Sequence, residues 1–261
     1  MPHSTQGINR PLSLVLLQQQ HRGVAQRALH SLMGRRGSVA VVRTGSVCGP
    51  TAARRTAIAR AFRLWMDGRV PAACKPWMAH LPNGKPQLML PLALQGRFAS
   101  RPVHISVAHD GGVLAILLGG GPGLCGVGVD VVDLRRVRPW VANSRRLRRF
   151  LSRLMDEPSA TRVAHDLIGC GEDERCTAVA VRFGLMEAVS KALGTGWTLG
   201  SKVGDGVPCK SIGLAVRRGR ARVVLREPAS KVLRGIRGRR IEASWVRTGD
   251  LVVAVAVIWG S

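Results

Sequence analysis

At 261 residues, 46% apolar and 21% charged, the chain has the composition of a globular protein of one large or two smaller domains, which excludes a disordered one. Forty Lys plus Arg against fifteen Asp plus Glu give +25, a field that attracts nucleic acid, anionic lipid, a phosphorylated ligand or an acidic protein. The longest apolar stretches, Val113 to Leu118 and Leu251 to Trp259, reach about half of the roughly 20 residues a membrane helix needs, so no membrane partner is expected.

The first forty residues hold an apolar patch from Leu12 to Leu17, a Gln run and Arg-rich sequence, and support no firm assignment. No acidic residue precedes Asp67 while the first 66 positions carry ten arginines, a balance that a mitochondrial transit peptide would also show. In a chain this poor in acids the gap also arises without targeting, so a cytoplasmic location is expected, with a mitochondrial one as the alternative. From Ala53 to Met66, Ile58, Phe62 and Trp65 recur at helical spacing opposite an Arg-bearing face, predicting an amphipathic helix. Pro102 to Leu118 reads as a hairpin. Val103, Ile105, Val107 and His109 alternate, Asp110-Gly111-Gly112 turns, and Val113 to Leu118 forms a buried strand.

Gly119 to Gly123 is the best candidate linker between two halves. In the strand expected over Gly126 to Val132, Val127, Val129 and Val131 point one way, while Gly126, Gly128 and Asp130 point the other, onto a face kept open by glycine. Leu147 to Met155 and Thr177 to Leu193 read as helices, the second ended by Gly194 and Gly196. Four strands follow: Ser211 to Val216, Ala221 to Arg226, Ile241 to Arg247 and Leu251 to Trp259. The expected fold is α/β with two similar lobes, each a small, largely antiparallel sheet packed with helices and related by a pseudo-twofold. Residues 1–45 carry no assignable element, residues 46–122 form the N-terminal lobe and residues 123–261 the C-terminal lobe.

Only six of the forty basic residues are Lys, at positions 75, 85, 191, 202, 210 and 231, so each surviving Lys merits attention. Asp130 on a strand and Glu187 on a helix could converge on Mg²⁺, which suits one or two carboxylates plus waters and phosphate oxygens. Two unrelated surface acids, each beside an Arg, would look the same in sequence. Glu187 and Lys191 lie four apart on one helix face, opposite Leu185, Val189 and Leu193. They read either as a routine exposed ion pair or as a carboxylate and an ammonium aimed into one site. Asn83-Gly84-Lys85-Pro86 is a turn that sets a rare Lys on a stiffened backbone. His109 is either a satisfied strand-end histidine or a phosphate donor. Gly121, Gly123 and Gly126 spell a dinucleotide fingerprint but precede a strand rather than a helix, so that site is rejected. No Gly-Lys-Ser/Thr ending makes a P-loop. The six cysteines form no CxxC pair, and His165, Cys170 and Cys176 lack zinc spacing.

Four segments, taken in order, resemble the successive motifs of the Sfp-type 4'-phosphopantetheinyl transferases. These are Asn83 to Pro86, Val103 to His109, Gly128 to Val132, and Phe183 to Gly196, which reads FGLMEAVSKALGTG. The likeness runs from about Ala52 to the C-terminus. It implies two α/β lobes with coenzyme A between them, Asp130 and Glu187 on Mg²⁺, and Lys85, Pro86, His109 and Lys191 against coenzyme A. It also implies Glu187 as base toward the serine of an acidic apo carrier protein, and Lys191 neutralising the departing adenosine 3',5'-bisphosphate. A monomer is expected. Val132 stands where bacterial members often carry a second acid, and Met186, Phe183 and Ala108 replace the motif's first Lys, its Trp and the Ser before His. Alternatives are a nucleic-acid-binding protein built on Arg145 to Arg149 and the arginines from Arg217 to Arg240, and an inactive relative of the transferases. No aromatic residue interleaves those arginines as a stacking platform would need.

Overall fold

A computed structural model describes residues 12–16, 37–41, 50–66, 76–80, 85–98, 103–198, 206–217 and 220–261. Helix α1 (Pro50–Trp65) precedes the hairpin of β3 (Trp77–His80) and β4 (Pro86–Met89) and the short helix α2 (Leu92–Phe98). Strands β5 (His104–Asp110) and β6 (Val113–Gly119) turn at Gly111 and Gly112, whose φ of +54° and +74° favour glycine. They complete a sheet ordered β2-β1-β6-β5. Its far members, β1 (Leu12–Leu16) and β2 (Gly37–Val41), come from the N-terminal stretch in which the sequence pattern supports no element.

The second sheet is ordered β10-β11-β12-β13-β7 and antiparallel throughout. Strand β7 (Leu124–Asp133) starts it. Helices α3 (Leu134–Val141), α4 (Ser144–Leu154), α5 (Glu157–Asp166) and α6 (Glu172–Leu193) come next. After the small pair β8 (Trp197–Thr198) and β9 (Val207–Pro208), the chain runs through β10 (Ile212–Arg217), β11 (Arg220–Leu225), α7 (Ala229–Gly235), β12 (Gly238–Thr248) and β13 (Leu251–Gly260).

Alternation along the strands sorts the core into three layers. Odd residues of β6, β7 and β13, such as Leu117, Val129 and Val255, join Ala108 in a cluster between the two sheets. Ile116 and Leu118 face the other way, onto Ile58, Phe62 and Trp65 of α1. The even residues of β13, with Val132, meet α6 and the helices around it. The unbroken apolar runs of β6 and β13 therefore reflect strands buried on both faces.

Helix α6 begins five residues before the expected start. Glu172, Asp173 and Glu174 occupy its first turn, where carboxylates complement the helix dipole, and Arg247 of β12 grips Asp173 and Thr177. It ends at Gly194, left-handed at φ +77°. The face of β7 expected to be open is instead filled by this helix. A Cβ on Gly126 or Gly128 would overlap the carbonyl oxygens of Ala192 or Ala188, so the two glycines admit the helix backbone directly against the strand.

The outer edge of β7 is closed by side chains of β5. His104 Nε2 lies 3.1 Å from the Leu124 carbonyl, Ser106 Oγ accepts from Val129 N–H at 3.0 Å, and Asp110 Oδ2 accepts from Asp133 N–H at 2.9 Å. Three even-numbered residues of one strand thus satisfy the backbone of another without a ladder between them, and the two sheets are held edge to edge.

Candidate active site

Where β5 and the β3–β4 hairpin approach β7 and the end of α6, a cleft of about 520 Å³ opens. Lys85, Pro86, His109, Asp130 and Lys191, all singled out from sequence, line it. So do His80, Ser106, Ala108 and the segment Gly194-Thr195-Gly196. Glu187 is not among the lining residues. It is half-buried one turn before Lys191, close enough to Asp130 for its charge to raise that acid's pKa. Asn83 and Gly84 lie outside the described residues.

Asp130 is 7% exposed. Burial first, and then the Glu187 charge, push its carboxyl up to about 6 against the opposing pull of Lys191. Lys191 Nζ donates to Asp130 Oδ1 at 2.8 Å and to the Val129 carbonyl at 3.1 Å. Lys191 therefore reaches across to the strand, and the routine i,i+4 pairing with Glu187 is not what this lysine makes. Among the described residues no hydrogen bond or ion pair engages the Glu187 carboxylate; its backbone carbonyl accepts from Ser190 Oγ.

Lys85 packs against the C-terminus of α6, where a Cβ on Gly194 would meet its Nζ at 2.6 Å. Burial lowers the Lys85 pKa, and burial and the Lys85 charge together lower that of His104, with the Leu124 carbonyl opposing. His109 is exposed at the end of β5.

The departures from the motif acquire physical reasons. Met186 is 1% exposed in the main core, where a lysine would be a buried unpaired charge. Val132 is equally buried, its Cγ2 against Gly184. Phe183 tilts against Trp140, which stacks on Phe150 at 4.4 Å, so it belongs to an aromatic cluster beside the helix. Asp133 caps α3 through Arg135 N–H at 2.9 Å and takes the Arg135 side chain as well. His80, Ser106 and Thr195 escaped selection because their place in the cleft depends on which strands meet, and no local pattern announces that.

For a hard divalent cation the donor set fits in part. Among the described residues no group of three or more His, Cys, Asp or Glu side chains could hold a metal alone. Two carboxylates that repel one another remain, and a Mg²⁺ ion completing its shell with waters and ligand oxygens suits them.

No family model matches the chain. A holo-[acyl-carrier-protein] synthase of Treponema denticola is 28% identical over 138 residues, 52% of this chain and 99% of that protein. A holo-ACP synthase structure from Plasmodium yoelii, 19% identical, covers 54% of this chain and 98% of its own at a TM-score of 0.41. Another from Neisseria meningitidis is 24% identical, covers 52% and 98%, and has a TM-score of 0.40. Motif order, a mixed α/β fold and the sequence relative point to one class: the chain is similar to a holo-[acyl-carrier-protein] synthase of the phosphopantetheinyl transferase superfamily. The whole length of that Treponema protein corresponds to about half of this chain.

Proposed function

We propose that the chain transfers the 4'-phosphopantetheine arm of coenzyme A to a serine of an apo acyl or peptidyl carrier protein, releasing adenosine 3',5'-bisphosphate. The observation that carries this reading is the single cleft lined by Lys85, Pro86, His109, Asp130 and Lys191, residues that reach it from four separate motifs. Two lobes, residues 46–122 and 123–261, would meet at this cleft, and since one chain supplies both walls a monomer suffices.

Lys85 and His109 would bind phosphate oxygens of coenzyme A, and Asp130 with Glu187 would hold Mg²⁺. When bound, Mg²⁺ neutralises charge on the pyrophosphate. Glu187 takes the proton of the carrier serine, whose oxygen bonds to the phosphorus bearing the pantetheine arm. The bridging phosphorus–oxygen bond of the pyrophosphate breaks, and Lys191 neutralises the phosphate that leaves. Such a displacement needs positioning and charge neutralisation above all, which two carboxylates and several cations supply. Lys191 is the hinge of this scheme, since it now holds Asp130 and would have to share itself with the leaving group.

The carrier would dock through charge. Arg145, Arg146, Arg148 and Arg149 are exposed on α4, whose buried Leu147, Leu151 and Leu154 fix that face outward. No described helix is long and apolar enough to cross a membrane. A cytoplasmic site of action fits these features.

Release of adenosine 3',5'-bisphosphate, followed by chromatography, tests the reading. It should require coenzyme A, Mg²⁺ and an apo carrier together, stop with a chelator, and show a carrier KM that rises with salt. Release without a carrier, or none with all three present, would defeat it.

A further inference from the structure

Both backbone groups of Val129, the residue before the cleft-side acid Asp130, are held from outside their own sheet ladder. Val129 N–H donates to Ser106 Oγ at 3.0 Å, a buried bond between strands that belong to different sheets. The Val129 carbonyl accepts from Lys191 Nζ at 3.1 Å, and the same ammonium donates to Asp130 Oδ1 at 2.8 Å. Ser106 of β5 is therefore joined, through one residue of β7, to the lysine and the acid of the opposite wall. The other two contacts between these strands are placed differently, since His104 and Asp110 engage Leu124 and Asp133 toward the two ends of β7. Of the three, only Ser106 lines the cleft, and it is 2% exposed.

Ala108 falls between Ser106 and Asp110 as Val131 falls between Val129 and Asp133, and it brings no polar atom to that position. The Asp130 carboxylate accepts from Val131 N–H instead. The Ser106 hydroxyl is thus what ties β7 to β5 beside Asp130. Without it Val129 N–H becomes a buried donor with no partner, and the strand must tilt toward water or admit it. Either response moves the carbonyl on which Lys191 rests. We infer that Ser106 is a positioning residue of the transfer reaction: through Val129 it fixes Lys191 Nζ, and with it Asp130 Oδ1, against the wall that carries His109. The inference rests on the proposed transferase reading and adds to it a residue that acts without touching coenzyme A or metal. Its effect falls on the chemical step, because misplaced charge-neutralising groups cost most where charge develops.

The test measures steady-state transfer to an apo acyl carrier protein, per folded molecule, by wild type, Ser106→Ala, Ser106→Thr, Lys191→Ala and the Ser106→Ala, Lys191→Ala double variant. Ser106→Ala should lower kcat about tenfold and change KM for coenzyme A by less than about threefold. Ser106→Thr keeps a hydroxyl on the strand and should recover kcat to within about threefold of wild type. Once Lys191 is gone, removing the Ser106 hydroxyl should cost less than about twofold more, because both residues act through one connection. A loss of thermal stability in Ser106→Ala with kcat unchanged makes Ser106 a structural fastener and overturns the inference. So does a raised KM without a lowered kcat, full additivity in the double variant, or no recovery in folded Ser106→Thr. If wild type transfers nothing, the transferase reading falls and takes this inference with it.

Discussion

Asp130 and Asp133 stand three residues apart on β7, 7% and 4% exposed, and their circumstances are opposite. Asp133 caps a helix and takes a paired Arg135, and the Arg135 hydrogen bonds hold its carboxyl below the usual carboxylate range. Asp130 faces the cleft with a lysine at 2.8 Å and a second carboxylate near, and burial raises it to about 6. Equal burial therefore does not mean equal role. An acid whose partners all belong to its own fold is a fastener, while one kept charged at a cost beside a cavity is poised for something that enters.

The sharpest way to break that contrast is to remove the carboxylates on the cleft side. On the proposed reading Asp130→Ala and Glu187→Ala should each lower transfer by about a thousandfold or more, since the proposed metal ligands and base would be lost together with the charge pattern. Near-normal turnover in a folded variant of either would dissolve the distinction between the two acids.

Gly128→Val tests what holds Asp130 in place. A side chain there meets the Ala188 carbonyl of α6, and neither backbone can yield cheaply, so unfolding should be easier by about 3 kcal/mol or more in a denaturant titration. Stability within error of wild type would mean the helix is not seated on the strand as described.

Asp133→Ala should lose about 1 to 2 kcal/mol of stability as a missing helix cap and keep its transfer rate per folded molecule. A fall in turnover at full folding would move Asp133 into the site.

The smallest effect concerns a second fastener, Asp156, which caps α5. Its bonds with Ser159 and then Arg226 lower its carboxyl to about 2. A depressed carboxyl stabilises the fold above its ordinary range near pH 4, and that contribution is lost as pH falls toward 2. Asp156→Asn keeps a capping oxygen but loses the charge that Arg226 pairs with, so it should cost about 1 kcal/mol at neutral pH and flatten the loss of stability between about pH 4 and 2. An identical acid profile in the variant would count against the role of that charge.

Much of this contrast was legible in the sequence, and the reasons are physical. The β5–β6 hairpin, β7 and β13 follow from strict alternation about Gly turns, and α6 from its terminating glycines. Helices α3 and α5 were not read, because Pro139 and Pro158 punctuate segments whose polar faces are crowded with Arg or broken by short side chains. Strands β1 and β2 are five residues each and gain their partners only from one another and from β6. Asp130, Lys191, Lys85, Pro86 and His109 announced themselves by rarity and motif position. The valine-or-glycine alternation of β7 gave the direction of Asp130 correctly and the occupant of its face incorrectly, since open space and a helix backbone both ask for glycine.

The most direct measurement is the mass of an apo acyl carrier protein after incubation with coenzyme A, Mg²⁺ and one of three enzymes: wild type, Asp133→Ala or Asp130→Ala. Wild type and Asp133→Ala should each add one phosphopantetheine to the carrier serine, and Asp130→Ala should leave the carrier unmodified. An unmodified carrier with wild type, or a fully modified one with Asp130→Ala, would contradict the account.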